Sequence, residues 1–241
     1  MRIAVVGGTG VAGRHLLRQL AEGGHDAVAL SRASGVDVVS GAGLEQALGG
    51  ADVVVDVSGP RTVRRAVSVA WFGRATAQLL AHGERAGVRH HVVLSIVGLE
   101  RVRSGYYAGK LRQEELALAG PLPVTLLRAT QFHEFAGQVL ARATAGPVAA
   151  VPRLRVQPVA AVEVARALAG AATGTPAGRL PDLGGPQEED LVDLARQTVR
   201  ARGDRTRVLA LPSGGTADGL LPGPGARAAG PTFAQWLAAG G

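Results

Sequence analysis

The first twenty residues, MRIAVVGGTGVAGRHLLRQL, constrain this chain more than any other stretch. Ile3, Ala4, Val5 and Val6 form an uninterrupted apolar run, as in a central parallel strand buried on both faces. Gly7, Gly10 and Gly13 follow at spacings of three, and Gly13, Leu16, Leu17 and Leu20 then share one face of a helix. Strand, glycine turn and helix in that order place the turn at the edge of a sheet. Glycines there permit a tight turn, a close approach of backbone to a diphosphate, and close packing of helix on strand. The unpaired amides that open the helix favour an anion.

Composition narrows the classes. The chain has 241 residues, 46% of them hydrophobic, enough for one α/β domain with a full core. With no cysteine, disulfides, thiolate metal sites and thiol nucleophiles are excluded. His90-His91 begins a strand without further ligands nearby, so no metal site is expected. The formal charge is +7, but the basic residues are scattered and aromatics are 3%, which argues against a nucleic-acid surface. A modest positive balance suits an anionic cofactor. No run of about 18 apolar residues points to a membrane span. With no apolar leader before the first strand, a cytoplasmic protein is expected.

In order, strands are expected at 27–30, 36–39, 52–57, 90–96 and 124–127, and helices at 44–48, 66–86 and 105–119. Strand and helix thus alternate over the first 130 residues, the pattern of a doubly wound, Rossmann-type parallel sheet. Beyond that, helices are expected at 131–143, 159–172, 187–202 and 232–238, short strands at 178–183 and 207–211, and a loop over the Gly- and Pro-rich 212–230. The reading is one domain over 1–241, with 1–130 the cofactor-binding core and 131–241 a small C-terminal region that caps a substrate pocket.

The sequence holds one lysine, Lys110, among 26 basic residues, and two tyrosines, Tyr106 and Tyr107. Arg does not replace Lys where a compact ammonium is needed. Tyr106 and Lys110 are four apart on an expected helix and share a face. An ammonium near a phenol is expected to lower its pKa and ready it for proton transfer. Ser95, near the end of an expected strand, can orient a substrate carbonyl. Ser31-Arg32 closes the second strand, where an acidic residue would hold a ribose hydroxyl and an Arg matches a 2′-phosphate. Trp71, Phe72, Phe132, His133 and Phe135, in a chain poor in aromatics, are candidates for an apolar pocket wall.

Taken together, GGTGVAGRHLL, VRHHVVLSIVG, GYYAGKLRQEE, LPVTLLRATQFHEF and PTFAQWL give the chain a resemblance to the atypical, NmrA-like short-chain dehydrogenases/reductases. The resemblance implies NAD(P) binding, with Gly7, Thr9, Gly10, Val11 and Gly13 at the phosphates and Ser31 and Arg32 at the adenosine ribose. It further implies that Ser58, Gly59, Ser95 and Thr130 line the cofactor, with Tyr106 and Lys110 as the active pair and Lys110 also on the cofactor. Ala129 to Phe132 would lie beside the nicotinamide, with Trp71, Gln131, Phe132 and His133 toward the substrate. Where many relatives carry an acidic residue near the adenine, this chain has Ser40-Gly41-Ala42.

The expected function is an NADP(H)-dependent oxidoreductase that reduces a carbonyl or enone of a small, fairly apolar molecule. Its partner is that small molecule, with neither nucleic acid nor membrane, and a homodimer is an allowed assembly. The alternatives are a non-catalytic NADP-binding redox sensor, or a non-redox isomerase or cyclase on the same fold. Arg32 makes the cofactor choice testable. NADPH should bind at least about tenfold more tightly than NADH, since one charge-assisted contact is worth roughly 1.5–3 kcal/mol. Arg32→Ala should erase the difference in calorimetry, and equal affinities in the wild type would contradict the assignment.

Overall fold

The computed structural model describes residues 1–102, 105–213 and 219–241. The chain runs through β1 (Arg2–Val6), α1 (Val11–Glu22), β2 (Asp26–Leu30), α2 (Leu44–Leu48), β3 (Val53–Asp56), α3 (Arg65–Arg85), β4 (His90–Ile96), α4 (Gly105–Ala119) and β5 (Val124–Ala129). It continues through α5 (Phe135–Ala143), β6 (Thr144–Ala145), β7 (Val148–Pro152), β8 (Arg155–Val156), α6 (Ala161–Thr173), β9 (Gly178–Arg179) and β10 (Leu183–Gly184). The last elements are β11 (Glu189–Asp190), α7 (Leu191–Ala201), β12 (Arg207–Leu211), β13 (Arg227–Ala228) and α8 (Phe233–Ala238).

The main sheet has the order β2-β1-β3-β4-β5-β10-β13, with β9 also beside β5, and its strand pairs are parallel. This is the Rossmann-type α/β architecture that the opening residues imply. Side chains of β1 alternate between two cores, which explains its unbroken apolar run. Ile3 and Val5 pack with Leu16 and Leu20 of α1 and Val164 and Leu168 of α6. Ala4 and Val6 pack on the other face with Leu44 and Leu48 of α2 and Leu79 and Leu80 of α3. From β1 the chain moves outward to β2, then returns to form β3 on the other side of β1. The loops that leave β1 and β3 therefore diverge at the carboxyl edge, where sheets of this kind open a ligand crevice.

The structure corrects several boundaries. Residues 36–39, expected as a strand, form none, and 38–39 lie in a turn. The Asp37 carboxylate accepts the amide of Val39 at 2.8 Å, and the Asp37 backbone closes onto Ala42 and Gly41. This local side-chain bond replaces a ladder, while Val36 is a buried plug beside Leu30 and Leu44. The helix expected from 131 begins at Phe135, because Gln131 and His133 pair through their backbones with Val159. That pairing also delays α6 to Ala161. The helix expected from 187 begins at Leu191, since Glu189–Asp190 pairs with β8 and the Asp190 carboxylate caps the amide of Val192 at 2.7 Å. The expected 212–230 loop contains β13, and its residues 214–218 lie outside the described ones. After residue 130 the chain adds α6, β9, β10 and β13 to the main layers, and builds two smaller cores around α5, α7 and α8.

Candidate active site

The glycine turn sits between β1 and α1. Gly7 has φ +81°, a conformation that favours glycine, and a Cβ there would stand 2.9 Å from the Cα of Ser58. The turn closes through the Gly10 amide on the Gly7 carbonyl at 2.9 Å. At Gly13 a Cβ would overlap the Gly7 carbonyl and lie 2.6 Å from the Gly8 Cα, so this position seats the helix on the turn. At Gly10 a Cβ would meet only the Gly7 carbonyl, at 3.2 Å, and Thr9 and Gly10 are exposed. Thus Gly7 and Gly13 satisfy the protein, while Gly10 leaves open space. Gly10 offers no side-chain cap to α1, whose first turn carries no acid. The helix amides and their partial positive charge therefore face outward at Val11. The Arg14 guanidinium donates to the Thr9 carbonyl at 2.7 Å and adds positive charge beside the turn. A Cβ at Gly8 would meet Ala29 at 2.8 Å, a packing role outside the expected triplet. These features fit a dinucleotide diphosphate.

At the end of β2, a short turn over Arg32–Ser34 is closed by the Ser31 amide on the Ser34 hydroxyl at 2.9 Å. Arg32 is exposed, and among the described residues no ion pair holds its guanidinium. It is therefore free to meet a phosphate at this edge.

Ser58 and Gly59 follow β3 and connect the turn to the helix α4. Ser58 packs on Gly7, and a Cβ at Gly59 would lie 2.9 Å from the Tyr106 hydroxyl. Phosphate turn, Ser58, Gly59 and the Tyr106 phenol thus form one continuous edge. Tyr106 reaches this place because α4 closes tightly on α3. A Cβ at Gly105 would lie 2.5 Å from the Arg65 amide, and one at Gly109 would lie 2.6 Å from the Phe72 ring. Phe72 is fully buried and meets Tyr106 edge-on, with centroids 5.6 Å apart. Trp71 meets Phe72 edge-on at 5.1 Å.

Lys110 lies on the same face of α4, buried, with its ammonium 4.8 Å from the centroid of Phe72. It donates to the Leu94 carbonyl at 2.8 Å and to Gln113 Oε1 at 2.8 Å. Gln113 Nε2 in turn donates to Asp56 Oδ2 at 2.7 Å. Asp56 Oδ1 accepts the Ser58 amide at 2.9 Å and its hydroxyl at 2.5 Å. Burial pushes the Lys110 ammonium down to about 8, against the pull of Asp56 and Glu114. Burial, then the negative charge of Asp56, pushes the Tyr106 phenol up to about 12. This corrects the expectation of a phenol made more acidic by the ammonium. Tyr106 stays protonated at neutral pH.

Other expected residues have different surroundings. Ser95 is buried opposite Arg128 in the β4–β5 ladder, beside the Glu114 carboxylate. Burial pushes that carboxyl up, but Arg128, Ser95 and Arg179 together hold it below its usual range. Arg128 joins Glu114 and Glu100, each at 2.8 Å. Among the described residues no hydrogen bond joins Ser95 to Tyr106, so the structure groups Ser95 with an ion cluster. Thr130 donates its hydroxyl to the Gln157 carbonyl at 2.6 Å. Gln131 is buried against the Tyr107 hydroxyl. Phe132 packs against the α1–α6 core, and Phe135 against a separate one. His133 is buried 3.2 Å from the Pro231 carbonyl, with its ring between Phe233 and Trp236 at 5.4 and 5.2 Å. Burial lowers its pKa against the opposing effect of Pro231, and the ring anchors α8. A cavity of about 500 Å³ lies between α6 and the β10–β13 edge, lined by Glu163, Arg166, Leu183 and Arg227 and by none of the expected site residues.

Sequence reasoning missed Asp56, Gln113, Glu114 and the helix-packing glycines 105 and 109. A signal for Asp56 was present: it is the single charged residue that ends the apolar run VVVD. Gln113 and Glu114 stand three and four residues after Lys110, on its own helix face.

No family model and no curated protein matches the sequence. Solved structures do. MoeE5 in complex with UDP-glucose and NAD aligns with a TM-score of 0.80 at 20% identity, over 99% of this chain and 96% of that one. The dTDP-4-dehydrorhamnose reductase of Bacillus anthracis, in complex with NADP, gives 0.77 at 11%, over 98% and 96%. A short-chain dehydrogenase/reductase superfamily protein of Agrobacterium tumefaciens, with bound NAD, gives 0.68 at 18%, over 92% and 88%. The chain has the fold of the short-chain dehydrogenase/reductase structures.

Stability should carry the imprint of these buried groups at high pH. Lys110 shifts from 10.5 to about 8, so between those values the unfolded chain binds the extra proton and stability rises with pH. Tyr106 and Tyr107 shift from 10.0 to about 12, so between those values the folded chain keeps the protons and stability falls as pH rises. Urea midpoints should climb from pH 8 to about 10 and then decline toward 12. Lys110→Met should remove the climb and keep the decline. A wild-type midpoint that only falls above pH 8 would contradict the buried ammonium.

Proposed function

We propose that the protein is an NADP(H)-dependent oxidoreductase that reduces the carbonyl or conjugated enone of a small, fairly apolar molecule. The observation that carries this reading is the continuous edge from the glycine turn through Ser58 and Gly59 to the Tyr106 hydroxyl. A diphosphate seat and a proton donor then border one crevice at the sheet's switch point. Neighbouring folds crystallised with NAD or NADP support a nicotinamide dinucleotide, and the free Arg32 supports the 2′-phosphorylated form.

The open space at Gly10 and the α1 amides would hold the diphosphate, Arg32 the 2′-phosphate, and Ser58 and Gly59 the wall beside the ribose. When bound, the reduced nicotinamide supplies a hydride. Tyr106, protonated at neutral pH, supplies the proton to the substrate oxygen. Phe72 and Trp71 stack an apolar wall behind the phenol, and water excluded there strengthens the hydrogen bond to the substrate oxygen. Lys110 supplies positive charge beneath that wall.

Tyr106→Phe removes the proton and keeps the ring. Turnover should fall by about 10²–10⁴-fold, the size of a general-acid contribution, with NADPH affinity unchanged. Tyr107 stands about 100° around the helix and turns its hydroxyl to Gln131, so Tyr107→Phe should retain activity. Single-turnover decay of NADPH absorbance with a carbonyl panel measures both. Equal rates for wild type and Tyr106→Phe would favour a sensor or a non-redox enzyme on this fold.

A further inference from the structure

We propose that Asp56 is the positioning residue of this site, fixing the Lys110 side chain through Gln113 and the crevice loop through Ser58. The geometry carries the inference. Asp56 ends β3 with no exposed surface, and both carboxylate oxygens are engaged. Oδ1 takes the Ser58 amide and hydroxyl, and Oδ2 takes Gln113 Nε2. A carboxylate only accepts hydrogen bonds, so it dictates which end of the Gln113 amide faces it. With Nε2 committed to Asp56, Oε1 is left to accept from Lys110 at 2.8 Å. A flipped amide would set N–H groups against an ammonium. The polarity of the whole relay is therefore set at Asp56.

The charges around Lys110 point the same way. Glu114, on its own helix, is held by Arg128 at 2.8 Å and Arg179 at 2.7 Å. Among the described residues Asp56, from β3, bonds the neutral groups of Ser58 and Gln113. Its charge pulls on the ammonium ahead of that of Glu114. His91 of β4 is fully buried beside Asp56, and burial disfavours its charged form. Phe72 of α3 offers a ring face, and Leu94 of β4 a carbonyl. One carboxylate thus links the loop that borders the crevice to the seat of the only lysine.

That lysine makes the test direct. Full-length protein labelled with ¹³Cε-lysine gives a single side-chain signal, from Lys110. Its pH titration is recorded for the wild type, Asp56→Asn and Gln113→Leu, each checked for folding by circular dichroism. Both variants should lose about tenfold in proton affinity at Lys110, a midpoint lower by about one pH unit. The alkaline limb of kcat against pH should move by the same amount. If Asp56→Asn does not fold, Gln113→Leu decides alone. An unchanged Lys110 midpoint in the folded variants would overturn the proposal, since a merely structural Asp56 would not move it. The kinetic arm rests on the oxidoreductase reading and the titration does not. A wild type that neither binds NADPH nor consumes it would defeat that reading and leave the titration to decide the role of Asp56.

Discussion

The close approach of three backbone segments, Gly7, Gly13 and Ser58, is the constraint on which the rest of this molecule depends. A Cβ at Gly7 would press on Ser58, and one at Gly13 would overlap the Gly7 carbonyl. Removing those two carbons lets α1 sit directly on the carboxyl end of β1 while the loop after β3 closes against it. From that contact follow the aim of the α1 amides, the position of Gly59, and the edge on which the Tyr106 hydroxyl rests. The same device recurs in α4, where Gly105 and Gly109 bring the helix against α3 and carry Tyr106 and Lys110 to the crevice. Two pairs of missing side chains thus set the glycine turn and the Tyr106 phenol in one frame.

The second constraint is electrostatic. Burying one ammonium and two carboxylates under α4 is costly unless each is bonded. The chain resolves this in two compartments. Glu114 is neutralised by Arg128 and Arg179, with Ser95 alongside. Lys110 and Asp56 are bridged by a neutral amide instead of meeting as an ion pair. Burial lowers the ammonium against the pull of Asp56 and Glu114, and burial with the Asp56 charge raises the Tyr106 phenol.

Much of the frame was legible because it obeys periodic rules. The β1–turn–α1 unit, the parallel sheet and the shared face of Tyr106 and Lys110 follow from spacing alone. What was not legible depends on contacts distant in sequence. Val36 to Val39 reads as a strand by residue type, but the Asp37 side chain competes for the backbone and wins. Gln131 to His133 reads as helix, yet Val159 takes its backbone groups from 26 or more residues away. His133 reads as a pocket-wall candidate until α8 folds over it and encloses the ring. Asp56 was passed over because its meaning lies in Gln113, 57 positions later.

The central claim is that the glycine turn holds a dinucleotide at Gly10, and the glycines separate this claim from mere folding. A Cβ at Gly10 meets one atom of the protein, at 3.2 Å, whereas a side chain at Gly13 collides with the turn itself. The direct measurement is calorimetric titration of NADPH into wild-type protein and into Gly10→Val, with urea unfolding as the control for structure. The account predicts a folded Gly10→Val with NADPH binding abolished, because the valine fills the space needed by the diphosphate. Wild-type affinity in a folded Gly10→Val would place the cofactor elsewhere and contradict the account.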